Sequence, residues 1–312
     1  MKRLLIALAI LLSHPAYAET WRFALIGDTP YNDGERHELP RMLDHIAARK
    51  PAFIIHAGDF KRSSSRCSDA LFLDRHSLFD TSVVPLIYVP GDNEWSDCNR
   101  VIAGSFNQIE RLNRLREIFF RKPFSLGKSK LAVEQQPGNY PEHLSWRLGP
   151  VLFITLNVPG GNNNYGNKDE PDAEFVARGP LVLDWLRQGF LTARHEQLAG
   201  IVIVMQANPG LKHFAAGLPH NGFRALLEAL RMETVAFAGQ VLLVHGDSHW
   251  QRIDHPLRHP ETKLPLANFT RAETYGYPVM GWVNVLIDNT HPQLFRFEAK
   301  PYKEPVSFGF HH

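Results

Sequence analysis

"YVPGDNEWSDC", Tyr88 to Cys98, starts as the end of a buried strand and turns acidic within a few residues. The apolar run Pro85-Leu86-Ile87-Tyr88-Val89 meets Pro90-Gly91, and Asp92, Asn93 and Glu94 follow at once. The same event recurs along the chain: "FALIGD" ends at Asp28, "FIIHAGD" at Asp59 and "VLLVHGD" at Asp247. A single Gly-Asp pair is most often a turn. Four apolar runs that end this way put four carboxylates beyond strand ends, where open α/β sheets collect their functional groups. Gln206 ends the run "IVIVMQ" in the same manner, and His249 follows Asp247 by two residues.

Outward from these points, strand-like runs cover Arg22–Ile26, Ala52–His56, Leu86–Val89, Val151–Asn157, Ile201–Gln206 and Val241–His245. Helix-like segments lie between several of them. In Glu35–Lys50, residues Leu39, Met42, Leu43, Ile46 and Ala47 recur at i, i+3, i+4 spacing and make one apolar face. Ile109–Phe120 and Phe223–Met232 read similarly. Successive Gly-Asp pairs in the first third lie about 30 residues apart, the length of one strand–helix–strand unit. Such alternation predicts an α/β domain with strands buried between helical layers. Towards the end, Gly281–Ile287 and Gln293–Ala299 alternate as antiparallel strands do, and we expect them, with "FTRAETYG", in a second sheet packed on the first. Asn157 to Asp172 reads as a long turn-rich loop.

The chain has 312 residues, 44% of them hydrophobic, enough for a sizeable core. Its start has the three parts of a secretory leader in order: basic Lys2 and Arg3, the short apolar run Leu4–Leu12, and "AYA" at Ala16–Ala18. A signal peptide over residues 1–18 predicts a periplasmic or secreted protein. The apolar run is too short to span a bilayer, which takes about 20 residues, so no transmembrane anchor is expected. Losing Lys2 and Arg3 brings the 34 Lys and Arg level with the 32 Asp and Glu, which argues against a broad nucleic-acid-binding face. Cys67 and Cys98 are the two cysteines, an even count that predicts a disulfide in an exported chain. Oligomeric state leaves no signature.

Four carboxylates gathered in one site repel and raise one another's pKa values. Bound cations remove that cost, so metal binding is the economical reading of the cluster. At these residues the chain resembles the calcineurin-like metallophosphoesterase family, and "GDTPY" with "PGDNEWSDC" resembles an exported bacterial branch of it with degenerate motifs. The resemblance implies a four-layer α/β/β/α sandwich of two mixed sheets flanked by helices, as one domain over residues 19–312. Family motifs Asp-x-His, Gly-Asp-x-x, Gly-Asn-His-Glu/Asp, a lone strand-end His and Gly-His-x-His correspond to Asp28-Thr29-Pro30, Gly58-Asp59, Gly91-Asp92-Asn93-Glu94, Gln206 and Gly246-Asp247-Ser248-His249.

By that correspondence, Asp28, Asp59 and His249 hold one metal, and Asp59, Asp92, Gln206 and Asp247 hold a second, with Asp59 bridging. Pro30, Asn93, Gln206 and Asp247 each replace a family His, and Asp92 replaces an Asn. Oxygen-rich donors favour Mn²⁺ or Mg²⁺ in one or two sites, with Fe and Zn admitted. The implied activity is hydrolysis of a phosphorylated small molecule or phosphodiester, mono- or diester, by a metal-bound hydroxide. The alternative is a weak or inactive relative that holds a metal or an anion. Asn93 stands where the family has a His that assists the reaction, a loss worth about 10²–10⁴ in rate if a proton donor is missing. Arg62, three residues past Asp59, is a candidate phosphate clamp. Tyr31 is expected to pack, with reach to the metal or substrate as its alternative; we expect His56 and His245 to be buried and hydrogen-bonded, Trp95 and Trp250 to wall the pocket, and Asn162–Asn164 to lie at the substrate mouth or on plain surface. His213 and His220, in the loop after Gln206, are weaker candidates for a replacement proton donor.

Overall fold

The computed structural model describes residues 19–166, 170–218 and 222–303. The leader expected at residues 1–18 and His220 lie outside them. The chain runs β1 (Thr20–Ile26), α1 (Asp33–Ala47), β2 (Ile54–His56), α2 (Asp69–Phe79), β3 (Leu86–Tyr88), α3 (Gln108–Phe119), β4 (Glu134–Gln135), β5 (Leu144–Leu148), β6 (Val151–Thr155), the one-turn α4 (Gly160–Asn163) and α5 (Ala173–His195). It continues through β7 (Gly200–Val204), α6 (Leu211–Ala215), α7 (Arg224–Ala236), β8 (Gln240–His245), β9 (Arg252–Asp254), β10 (Phe269–Glu273), β11 (Met280–Asp288) and β12 (Phe295–Lys303). Three 3-10 turns fill much of Asp92–Ala103.

Strand periodicity explains the layers. Side chains alternate faces along a strand. In β6, Val151 and Phe153 join the core between the sheets, while Leu152 and Ile154 pack with the outer helices. Val202 and Val204 of β7 and Leu242 and Val244 of β8 divide from Ile201, Ile203, Val241 and Leu243 in the same way. Both faces of these strands are therefore apolar, as buried parallel strands require. Phe153 meets Phe23 of the other sheet edge-on at 5.0 Å and Phe53 at 5.1 Å. The result is two mixed sheets with helices outside, as the resemblance implies.

One sheet has the order β12-β11-β1-β2-β3 and the other β4-β5-β6-β7-β8-β10-β9. β1, β2 and β3 are parallel, as are β6, β7, β8 and β10. This corrects the expectation for the end of the chain. β11 and β12 do not enter the second sheet. β11 pairs antiparallel along the free edge of β1, Trp21 opposite Ile287, and β12 follows it as a hairpin. Only β10 joins the second sheet. The long α5 was also not legible, because Gly179 and Pro180 interrupt its pattern. It buries Val182, Leu186, Phe190 and Ala193 along one stripe.

Cys67 and Cys98 are bonded, with Cα atoms 5.8 Å apart and both residues fully buried. Their sulfurs lie 3.6 and 3.7 Å from the backbone carbonyl oxygen of Asn93. The bridge thus ties the loop after β2 to the turn after β3. Closing a loop of 31 residues contributes about 3–4 kcal/mol on the chain-entropy view. A Cys67→Ser/Cys98→Ser protein should lose about that much in urea unfolding. An unchanged midpoint would assign the stability of this loop to burial alone.

Candidate metal centre

The carboxyl ends of β1, β2 and β3 meet those of β7 and β8, and the carboxylates of all four Gly-Asp pairs arrive at this meeting. The backbone makes abrupt turns to deliver them. Asp28 (φ 50°), Asp59 (φ 60°), Asp247 (φ 78°) and His249 (φ 58°) are all left-handed. That region is costly for residues with a Cβ, and such strain marks functional sites. Gly58, at φ +90°, permits the second turn, and a Cβ there would come within 2.5 Å of Gln206.

Asp59 is the hub. Its Oδ2 accepts from Asn93 Nδ2 at 2.8 Å, Gln206 Nε2 at 3.2 Å and the Tyr31 hydroxyl at 3.2 Å. Its Oδ1 accepts the Asn93 backbone N–H at 3.2 Å. The Asn93 amide also donates to the Tyr31 hydroxyl at 3.1 Å. Glu94 lies beneath and accepts three backbone N–H groups, from Asp59, Phe60 and Gly91.

On the other side, both Asp28 oxygens accept the Asp247 N–H at 3.1 Å. Asp247 Oδ2 accepts the Asn208 N–H at 2.8 Å. His249 Nε2 is 3.5 Å from Asp28 Oδ1 and 3.1 Å from the Tyr31 hydroxyl. His249 Nδ1 is 2.7 Å from the Tyr277 carbonyl oxygen. A carbonyl only accepts, so Nδ1 carries a proton and Nε2 is the ring nitrogen that faces the cluster. Asp92 completes the group. Its Oδ1 is buried with no hydrogen-bond partner. A Cβ on Gly160 would sit 2.7 Å from Asp92 Oδ2 and 2.9 Å from Asp247 Oδ1, so only glycine leaves these carboxylates their space.

Burial and mutual repulsion set the electrostatics. Burial raises the Asp59 pKa well above the usual carboxylate range, reinforced by Asp92, Glu94, Asp28 and Asp247. Burial also raises Asp28 and Asp92. It pushes Asp247 up to about 7, with Asp92 adding to it, and Glu94 to about 7. For His249, burial opposes the charged ring but the Asp28 carboxylate outweighs it, and the pKa rises. Among the described residues no three His, Cys, Asp or Glu side chains form a ready metal-holding group. Tyr31, Asn93 and Gln206 join the carboxylates instead.

All six candidate ligands and Asn93 therefore converge, but two face the cluster in an unexpected way. Gln206 Oε1 accepts the Gly160 N–H at 2.6 Å. This bond fixes the amide so that its NH₂, not its oxygen, points at Asp59. Asn93 likewise presents N–H groups. Arg62 stands at the rim, its Nε donating to the Tyr31 carbonyl at 3.0 Å and its guanidinium 5.6 Å over the Tyr277 ring. Tyr31 is a hub and not mere packing; its position three residues after Asp28 was the available signal. His56 and His245 are buried and bonded to backbone carbonyls, as expected. Trp95 is fully buried, whereas Trp250 is 71% exposed. Residues Gly161 to Asn164 wind left-handed and are held by the fully buried Arg178, which donates to the Asn157 carbonyl and to Asn163 Oδ1 at 2.8 Å.

A sequence model of the family described as calcineurin-like phosphoesterase matches residues 22–251, and the chain belongs to that family. No curated protein matches it in sequence. Among solved structures it is similar in fold to a dimetal phosphatase from Danio rerio, with 13% identity, TM-score 0.51 and coverage of 91% of this chain and 99% of that one. It is also similar to PhoD, with 11% identity, TM-score 0.54 and coverage of 90% and 68%. A third is the purple acid phosphatase PPD1 from yellow lupin seeds, with 9% identity, TM-score 0.50 and coverage of 88% and 50%. The family is one of metal-dependent phosphoester hydrolysis. Among the described residues no helix is long and apolar enough to cross a membrane.

With a chelator present, the raised carboxyls hold protons in the folded chain that the unfolded chain releases. A raised Asp pKa contributes stability below about pH 4 and loses it as pH rises to about 7. Asp247→Asn removes one such group. The gain in its melting temperature over the unsubstituted protein should be near zero below about pH 4, grow as pH rises through 5 and 6, and level off positive above about pH 7. A flat difference across that range would show that Asp247 is not held under repulsion.

Proposed function

We propose that this chain is a metal-dependent phosphoester hydrolase, exported to the periplasm or beyond, with residues 19–312 acting as one catalytic domain. The observation that supports this reading is the convergence of Asp28, Asp59, Asp92, Asp247 and His249, with Asp92 Oδ1 buried and unpartnered. These donors fit a divalent cation, Mn²⁺ or Mg²⁺ ahead of Fe or Zn, because four of the five are carboxylates. When bound, such a cation supplies Lewis acidity towards a phosphoryl oxygen and acidifies a water. The tautomer that the Tyr277 carbonyl selects leaves His249 Nε2 available to it.

The remaining side chains take roles by position. Arg62 at the rim would clamp phosphate oxygens with its guanidinium. Asn93 is committed to Asp59 and Tyr31, and an amide does not yield a proton near neutral pH. It therefore orients Asp59 and does not protonate the leaving group. Esters with good leaving groups should be the best substrates, whether mono- or diesters, since they depart without a general acid. A second reading, a protein that holds a cation or an anion without turnover, draws on the same amide network.

Assays of the metal-stripped protein with p-nitrophenyl mono- and diesters and added Mn²⁺ test the proposal. Aryl esters should be hydrolysed at least 10²-fold faster than alkyl esters, the size of a missing general acid. Asp59→Asn should abolish the activity with the circular dichroism spectrum unchanged. Cation binding without aryl-ester hydrolysis would favour the second reading. Gly160→Ala should weaken Mn²⁺ binding, because its Cβ would enter the space of Asp92 and Asp247; undiminished binding would remove those two carboxylates from the centre.

A further inference from the structure

We infer that the centre holds one divalent cation and not two, because Asp59 has a single lone pair left and a bridge needs two. This rests on the metal-dependent reading above. A bridging carboxylate gives one oxygen to each ion or both lone pairs of one oxygen to the pair, and each oxygen offers about two lone pairs. Asp59 Oδ2 already receives three donors, from Asn93, Gln206 and Tyr31. Oδ1 receives one, the Asn93 N–H, and keeps one lone pair.

These donors are held in place. The Gly160 N–H needs an acceptor and takes Gln206 Oε1, so the Gln206 NH₂ must face Asp59. The Gln206 stem is confined between the backbones of Gly58 and Gly91, where a Cβ would come within 2.5 and 2.8 Å of it. Asn93 is held at its own backbone, where its carbonyl rests against the buried disulfide. Two amide N–H groups thus supply, as partial charges, what a second ion would supply as full charge. Asp28, Asp92, Asp247, His249 and the spare lone pair of Asp59 Oδ1 remain for a single ion.

Gln206→Glu tests this with little change in shape. One carboxylate oxygen still accepts the Gly160 N–H, while the other replaces an N–H donor at Asp59 by a ligand. The metal-stripped protein would be loaded with Mn²⁺, desalted and measured by elemental analysis and low-temperature electron paramagnetic resonance. The unsubstituted protein should carry one Mn²⁺ per chain with the spectrum of an isolated ion. Gln206→Glu should take up a second, with an exchange-coupled spectrum. Two coupled ions in the unsubstituted protein would overturn this inference and leave the hydrolase reading standing; no bound ion would overturn both. A Gln206→Glu protein that stays at one ion would show that Gln206 does not close the second position. Should that variant not fold, Gln206→His carries the same comparison, with an imidazole in place of the amide.

Discussion

Like charges buried together are the constraint on which this structure turns. Asp28, Asp59, Asp92 and Asp247 reach one centre from four strand ends, and their neighbours act against the resulting repulsion. Backbone N–H groups serve Asp28, Asp59 and Asp247, and Glu94 is itself held by three of them. Lys61, buried next to Glu94, adds an attractive charge beneath the cluster. The left-handed backbone at Asp28, Asp59, Asp247 and His249 adds a further cost, of about 1–2 kcal/mol for an ordinary residue and less for Asp. Against a net stability of about 5–15 kcal/mol such costs persist only where the surroundings over-determine the site.

The scaffold provides that over-determination from several directions. Aromatic rings from both sheets interlock around Phe53 and Phe153, which fixes the sheets relative to each other and so the strand ends that carry the site. The disulfide steadies Asn93 from below. Arg178 holds the left-handed turn after Gly160, and Gly160 in turn sets the orientation of Gln206. A chain of contacts from a buried arginine to an amide nitrogen thereby determines what Asp59 can ligate.

Much of this was readable in advance. Strands β1, β2, β3, β6, β7 and β8 appear as apolar runs, and their Gly-Asp endings announce where the functional side chains gather. Helices α1, α3 and α7 show their apolar stripes, whereas α5 hides behind Gly179 and Pro180. The membership of β11 was not readable, because alternation reports a strand and not the edge it joins. The role of Tyr31 was not readable either, since a tyrosine after a turn looks the same in sequence whether it packs or lies at the heart of a hydrogen-bond network.

By itself the sequence determined that carboxylates would stand beyond the ends of buried strands, since apolar periodicity and a following Gly-Asp are local properties. It also determined the residue types available to a ligand, including the amides at Asn93 and Gln206. Only the tertiary structure decided which way those amides face. An amide has a donor end and an acceptor end on one stem, and the choice between them belongs to a partner distant in sequence, the Gly160 N–H for Gln206 and the Asp59 carboxylate for Asn93.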